Sequence, residues 1–98
     1  MKITPSTIKG KKYTAVFSHM VDGKMKKIKT THFGSEGASD YLQHKDKERR
    51  ERYRQRHKKD LKTNDYMRAG FLSYYLLWGE SYNLNTNISN YKKRFNLK

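Results

Sequence analysis

Between His44 and Lys59 the chain reads HKDKERRERYRQRHKK, with nine Lys or Arg, three acids and two His in sixteen residues. Charge at this density stays in water, so the core has to come from elsewhere in the 98 residues. Asp46 supplies a helix start, Glu, Arg, Gln and Lys favour a helix, and neither Gly nor Pro interrupts before Lys59. At about 100° per residue, Arg49, Arg52, Arg56 and Lys59 fall on one ridge, and Lys47, Arg50, Arg54 and Lys58 on a second. A thin stripe of Tyr53, His57 and Leu61 separates them. The helix has enough apolar surface to be held down and far more charge than folding requires. The excess points to a polyanion.

The apolar mass lies further along. Hydrophobic residues are only 34% of the chain, against about 45–50% (counted with Gly) for globular domains. Eight Tyr, four Phe and one Trp compensate, because aromatic side chains bury much area per residue. Thr63-Asn64-Asp65 is a helix-start signal, and Tyr66 to Trp78 follows with helical spacing up to a stop at Gly79. Phe71, Leu72, Tyr75, Leu76 and Trp78 read as core, with a base-stacking platform as the rival reading of the same stripe. Residues 80–86 read as polar loop. In a last helix over 87–96, Ile88, Tyr91 and Phe95 face the core, and Lys92, Lys93 and Arg94 face out.

Ahead of the basic segment, KYTAVFSHMV and KMKKIKTTHF flank Asp22-Gly23, a strong hairpin signal because both turn positions need positive φ. With that turn, Phe17 faces Ile28, Tyr13 faces His32 and Ala15 faces Thr30 on an inner face. Val16 with Lys29 and Ser18 with Lys27 make the other face half basic. Phe33-Gly34-Ser35-Glu36-Gly37 lacks the spacing of a phosphate loop and reads as a tight turn. The expected fold is α+β: a hairpin over about 12–33, then three helices over about 45–60, 65–78 and 87–96. Residues 1–10, with the only Pro, form an extended arm, and 11–98 a single small domain.

Twenty-three basic residues face nine acids, a formal charge of +14 and a pI near 10.1. Solubility asks for a net charge of only about 2–8 on a small domain, so the remainder is the footprint expected of a nucleic-acid partner. Without cysteine there is no disulfide framework and no thiolate metal site. No apolar h-region follows Met1-Lys2-Ile3, and Phe71 to Trp78 is far shorter than the roughly 20 residues that span a bilayer. A soluble chain with no membrane partner is expected. His44 and His57 lack carboxylates at metal-ligand spacing, and the acids are too scattered for a Mg²⁺-dependent nuclease. His57 is expected to pack beside Tyr53, and His44 to make a helix-start or interhelix hydrogen bond. Glu48 with Arg52 and Asp46 with Arg50 have the spacing of helix-stabilising ion pairs. No enzyme, cofactor or metal is expected.

FGSEGASDYLQHKDKERRERYRQRH, then AGFLSYYLLWG, then YKKRF resembles a family of small basic proteins of giant DNA viruses, mimivirus-like and chlorella-virus-like. The matching positions are Phe33, Gly34, Gly37, Asp40 and Tyr41, then His44, Lys45, Asp46, Glu48 and Arg49. They continue through Tyr53, Arg56 and His57, then Ala69, Gly70, Phe71, Ser73, Leu76, Leu77 and Trp78, and end at Arg94 and Phe95. The family pattern has Arg-Trp where this chain has Tyr74-Tyr75, and often Lys-Pro where it has Gly79-Glu80, which implies a looser connection here. The resemblance implies a viral origin and no particular chemistry.

Two function classes follow. In the first, a virion-associated protein binds nucleic acid, DNA before RNA, without strong sequence specificity. Phosphate contacts would come from Arg49, Arg50, Arg52, Arg54, Arg56, Lys58 and Lys59 with the hairpin's Lys27 and Lys29. In the second, the same ridges clamp acidic surfaces of capsid or core proteins. Either role places the chain in the virion and, during infection, in the host cytoplasm or nucleus.

Overall fold

The computed structural model describes residues 1–97. Its three-stranded antiparallel sheet has the order β1 (Lys2–Pro5), β2 (Lys11–Val21), β3 (Lys24–Ser35). Asp22 (φ 51°) and Gly23 (φ 78°) form the tight turn between β2 and β3, as their dipeptide demands. The helices α1 (Tyr41–His44), α2 (Lys47–His57), α3 (Ala69–Leu72) and α4 (Leu84–Arg94) follow, so the α+β expectation holds at the level of class.

The finer expectations need correction. The arm over 1–10 is not an arm: β1 pairs with β2, Lys2 opposite Val16 and Pro5 opposite Tyr13. Its Pro sits at the end of an edge strand, where the missing N–H costs no ladder bond. The hairpin register also differs. Phe17 lies opposite Lys29 and Ala15 opposite Thr31, whereas Ser18 lies opposite Lys27 as expected. Ile28 is therefore an extra residue, a β-bulge that shifts one end of the hairpin by one position. Lys27 and Lys29 consequently pair with residues of opposite faces, and Ile28 is exposed instead of lying opposite Phe17 on the inner face.

Helix boundaries move for local reasons. Asp46 accepts hydrogen bonds from the backbone N–H of Glu48 (3.0 Å) and Arg49 (3.3 Å), so α2 starts at Lys47. Beyond His57 the chain tightens into a 3₁₀ turn (Lys58–Thr63). Asp65 accepts from the N–H of Met67 in a local turn, and the next helix begins only at Ala69. After Leu72 that helix widens into a π segment (Ser73–Leu77), in which Trp78 N–H reaches back to the Ser73 carbonyl (3.1 Å). Asn83 accepts from Thr86 N–H (3.1 Å) as the cap of α4, so that helix begins at Leu84, three residues ahead of the expected start. The short α1, with its capping box at Asp40, lies where no separate helix is expected.

Ala15, Phe17 and Phe33 of the sheet meet Tyr41, Leu72, Leu76, Leu77, Trp78 and Tyr91 in one core. The π segment explains how Tyr74, Leu76, Leu77 and Trp78 are buried almost in succession, since its wider turn changes which positions face inward. Burial of Phe71, Trp78 and their neighbours makes the aromatic stripe core and not an exposed stacking platform. The connection after Trp78 is tight, against the expectation of looseness. Asn87 donates to the carbonyls of Leu76 (3.0 Å) and Ser81 (2.7 Å) and accepts from Ser81 N–H (3.2 Å). A Cβ on Gly79 would lie 2.2 Å from the Tyr75 carbonyl oxygen. Only glycine fits there.

Candidate nucleic-acid interface

No residue of α2 is buried, so the basic helix needs attachment other than an apolar face. A column of rings provides part of it. Tyr53 stacks on Trp78 (centroids 4.2 Å apart, planes 6° apart), and His57 stacks on Tyr53 (4.1 Å, 24°), where the sequence places it. Burial, with a smaller contribution from the nearby Asp60 carboxylate, pushes the Tyr53 phenol up to about 12. Asp60 also accepts from His57 through Nδ1 (3.1 Å).

Two arginines provide the rest. Arg50 Nε donates to the Gly79 carbonyl (2.6 Å), and Arg54 Nη1 donates to the Trp78 carbonyl (2.8 Å). These carbonyls follow the C-terminal end of the π segment, where helical geometry leaves acceptors without intrahelical donors and the dipole favours cations. Each guanidinium also lies over a ring, Arg54 over Tyr74 (4.2 Å to the centroid) and Arg50 over Tyr41 (5.4 Å). Arg50 and Arg54 therefore hold the helix down, a role that the charge pattern alone does not disclose.

The opposite ridge is in a different state. Arg49, Arg52, Arg56 and Lys59 are exposed, as is Lys58 beside them. Among the described residues none of the five takes part in an ion pair. The expected helix pairs do not form either. Asp46 caps its own helix, Arg50 pairs with Glu51 (2.6 Å), and Glu48 has no ion-pair partner among the described residues. Arg52 thus keeps more of its field than the spacing of acids implies.

The hairpin lysines are exposed, Lys29 at the edge of an open groove that Thr31, Asp60, Thr63 and Arg68 also line. Thr31 Oγ1 donates to the Met67 carbonyl (2.7 Å), which fixes this part of β3 against the approach to α3. Lys29 is thereby brought beside the 3₁₀ turn that carries Lys58 and Lys59, while Lys27 lies beyond the bulge on the way to the tip. The turn read over Phe33–Gly37 is shorter than expected: Gly34 and Ser35 still belong to β3, and only Glu36 and Gly37 turn, with Glu36 accepting from Gly10 N–H (3.0 Å).

His44 makes the expected helix-start bond, accepting through Nδ1 from Asp46 N–H (2.9 Å). The ring proton must then sit on Nε2, which is buried without a partner among the described residues. Burial, reinforced by the Arg49 charge, lowers its pKa from 6.5. Among the described residues no three His, Cys, Asp or Glu could share a metal ion, and no helix is long and apolar enough to cross a membrane.

A family model described as a family of unknown function (DUF5754) matches residues 1–57, more than half of the chain. The match takes in the sheet, α1 and α2 and ends at His57, before the core segment AGFLSYYLLWG. No curated protein and no solved structure matches the chain.

Proposed function

We propose, for a chain that belongs to this family of unknown function, that it is a non-enzymatic nucleic-acid-binding protein that neutralises phosphate without strong sequence specificity. The observation that carries the reading is the ridge of Arg49, Arg52, Arg56 and Lys59, exposed and without an ion-pair partner among the described residues. Folding makes no use of these cations, and their repulsion on one helical face is relieved by a bound polyanion. Lys58, Lys27 and Lys29 extend the contact surface. Arg50 and Arg54 support it from beneath.

DNA is the preferred partner over RNA. The resemblance to small basic proteins of giant DNA viruses supports a place in the virion, and in the host cytoplasm or nucleus during infection. The test is a mobility-shift titration on mixed-sequence DNA and RNA, repeated across salt concentrations. Binding that weakens steeply with salt and ignores base sequence is expected. Weak binding at every salt concentration, with co-fractionation of an acidic shell protein, would instead establish a clamp on capsid or core proteins.

A further inference from the structure

β1 ends its pairing at Lys2 opposite Val16, and Tyr66, in the turn before α3, makes its ring contact with β2 at Phe17 (centroids 5.7 Å apart). From Ser18 to the turn and back to Lys27, β2 and β3 therefore continue as a two-stranded ribbon. Every residue of β3 from Lys24 to Thr30 is exposed. At about 3.3 Å per residue, the four pairs from Ser18–Lys27 to Val21–Lys24 project this ribbon by about 13 Å beyond the bulge.

Lys24, Lys26, Lys27 and Lys29 line the ribbon, and its one acid is Asp22, which the turn geometry requires. Lysines on an edge strand have a simpler explanation, because they keep the edge from pairing with another chain. That explanation fails for the tip. Met20 and Met25 lie directly opposite each other, one pair back from the turn, and are 60% and 63% exposed. Two unpartnered apolar side chains are the opposite of protection. Cations flanking an apolar wedge are the chemistry of proteins that enter the DNA minor groove and insert between base steps, bending the duplex by roughly 20–90°. A single strand would instead call for stacking rings. From Ser18 to Lys29 the ribbon carries no Phe, Tyr or Trp.

Building on the phosphate-binding reading above, we propose that the ribbon engages duplex DNA in the minor groove and that the Met20–Met25 pair wedges into a base step and bends it. The lysines follow the phosphates on either side of the groove, and the bulge at Ile28 sets the angle at which the ribbon leaves the body.

A short duplex carrying a fluorophore at each end tests this. Addition of the protein should raise energy transfer between the ends. Met20→Ala with Met25→Ala should return the transfer to that of free duplex and weaken duplex binding at every salt concentration, while leaving the salt slope unchanged, because neither residue touches phosphate. Unchanged circular dichroism and melting of the variant confirm that the fold is intact. Binding without increased energy transfer, or a double variant that bends DNA as the natural chain does, overturns the wedge and leaves the phosphate reading standing. Absence of duplex binding by the natural chain overturns both.

Discussion

Arg50 and Arg54 differ from Arg52 and Arg56 by two positions along the same helix, yet they do unrelated things. The first pair is drawn against the end of the π segment, each donating to a carbonyl and each covering an aromatic ring. The second pair is exposed and makes no ion pair among the described residues. Charge density is the same on both ridges, and what separates them is a pair of acceptors 29 and 24 residues downstream. A basic helix thus carries its own fastening. The arginine fork reaches backbone oxygens while its stem covers apolar surface, which lets a helix with no buried residue dock on a small core. Cations left over after that docking are the candidates for function.

The fastening depends first on the Trp78 platform. Replacing Trp78 with Ala removes the ring on which Tyr53 stacks and opens a cavity behind α2, and should lower stability by about 3–5 kcal/mol in chemical denaturation. An unshifted melt would mean that the ring column does not hold the helix. Next in size are the inward arginines. Arg54→Gln and Arg50→Gln should each lower stability by about 1–3 kcal/mol, because a buried carbonyl loses its donor. Arg52→Gln and Arg56→Gln should stay within about 0.5 kcal/mol. Equal effects in the two sets would erase the distinction between the ridges.

The smallest effect concerns His44, at the entry to α2. Its folded pKa is lowered, so the unfolded chain takes up the proton more readily. The stabilising contribution is complete above the unfolded value of 6.5 and is lost as pH falls through the lower folded value. The melting temperature should decline on acidification below pH 6.5, and His44→Asn, which keeps an acceptor for Asp46 N–H, should flatten that decline. A melting temperature that rises over the same interval would contradict the buried, neutral ring.

Sequence disclosed those parts of the fold whose signal is local. Asp22-Gly23 dictates its own turn, Asp46 its own helix start, and the spacing of Phe71, Leu72, Leu76 and Trp78 marks the core. Parts that depend on distant partners stayed hidden. The N-terminal run shows only two apolar positions at strand spacing, Met1 just ahead of β1 and Ile3 within it, and the pairing of β1 with β2 is a tertiary choice. Ile28 is an apolar residue in a strand-like run, with nothing local to mark it as a bulge. The π segment leaves no signature in a helical stripe, yet it sets where the carbonyls of Trp78 and Gly79 point. Which arginines turn inward follows from those carbonyls. For the candidate interface, the helix and its exposed ridge were legible, and the anchoring of Arg50 and Arg54 on the Gly79 and Trp78 carbonyls was not.

The most direct measurement compares two double variants in one shift assay across salt, Arg52→Gln with Arg56→Gln and Arg50→Gln with Arg54→Gln. If the outer ridge tracks phosphate and the inner ridge holds the fold, the outer variant keeps the natural melting temperature. Its salt slope should fall by roughly 1.4–1.8, equally for unrelated sequences, since each phosphate contact contributes about 0.7–0.9. The inner variant should melt lower and, at a temperature where it remains folded, keep the natural slope. An outer variant with an unchanged slope, or two variants that lose slope alike, would contradict the division of one helix into a fastening face and a binding face.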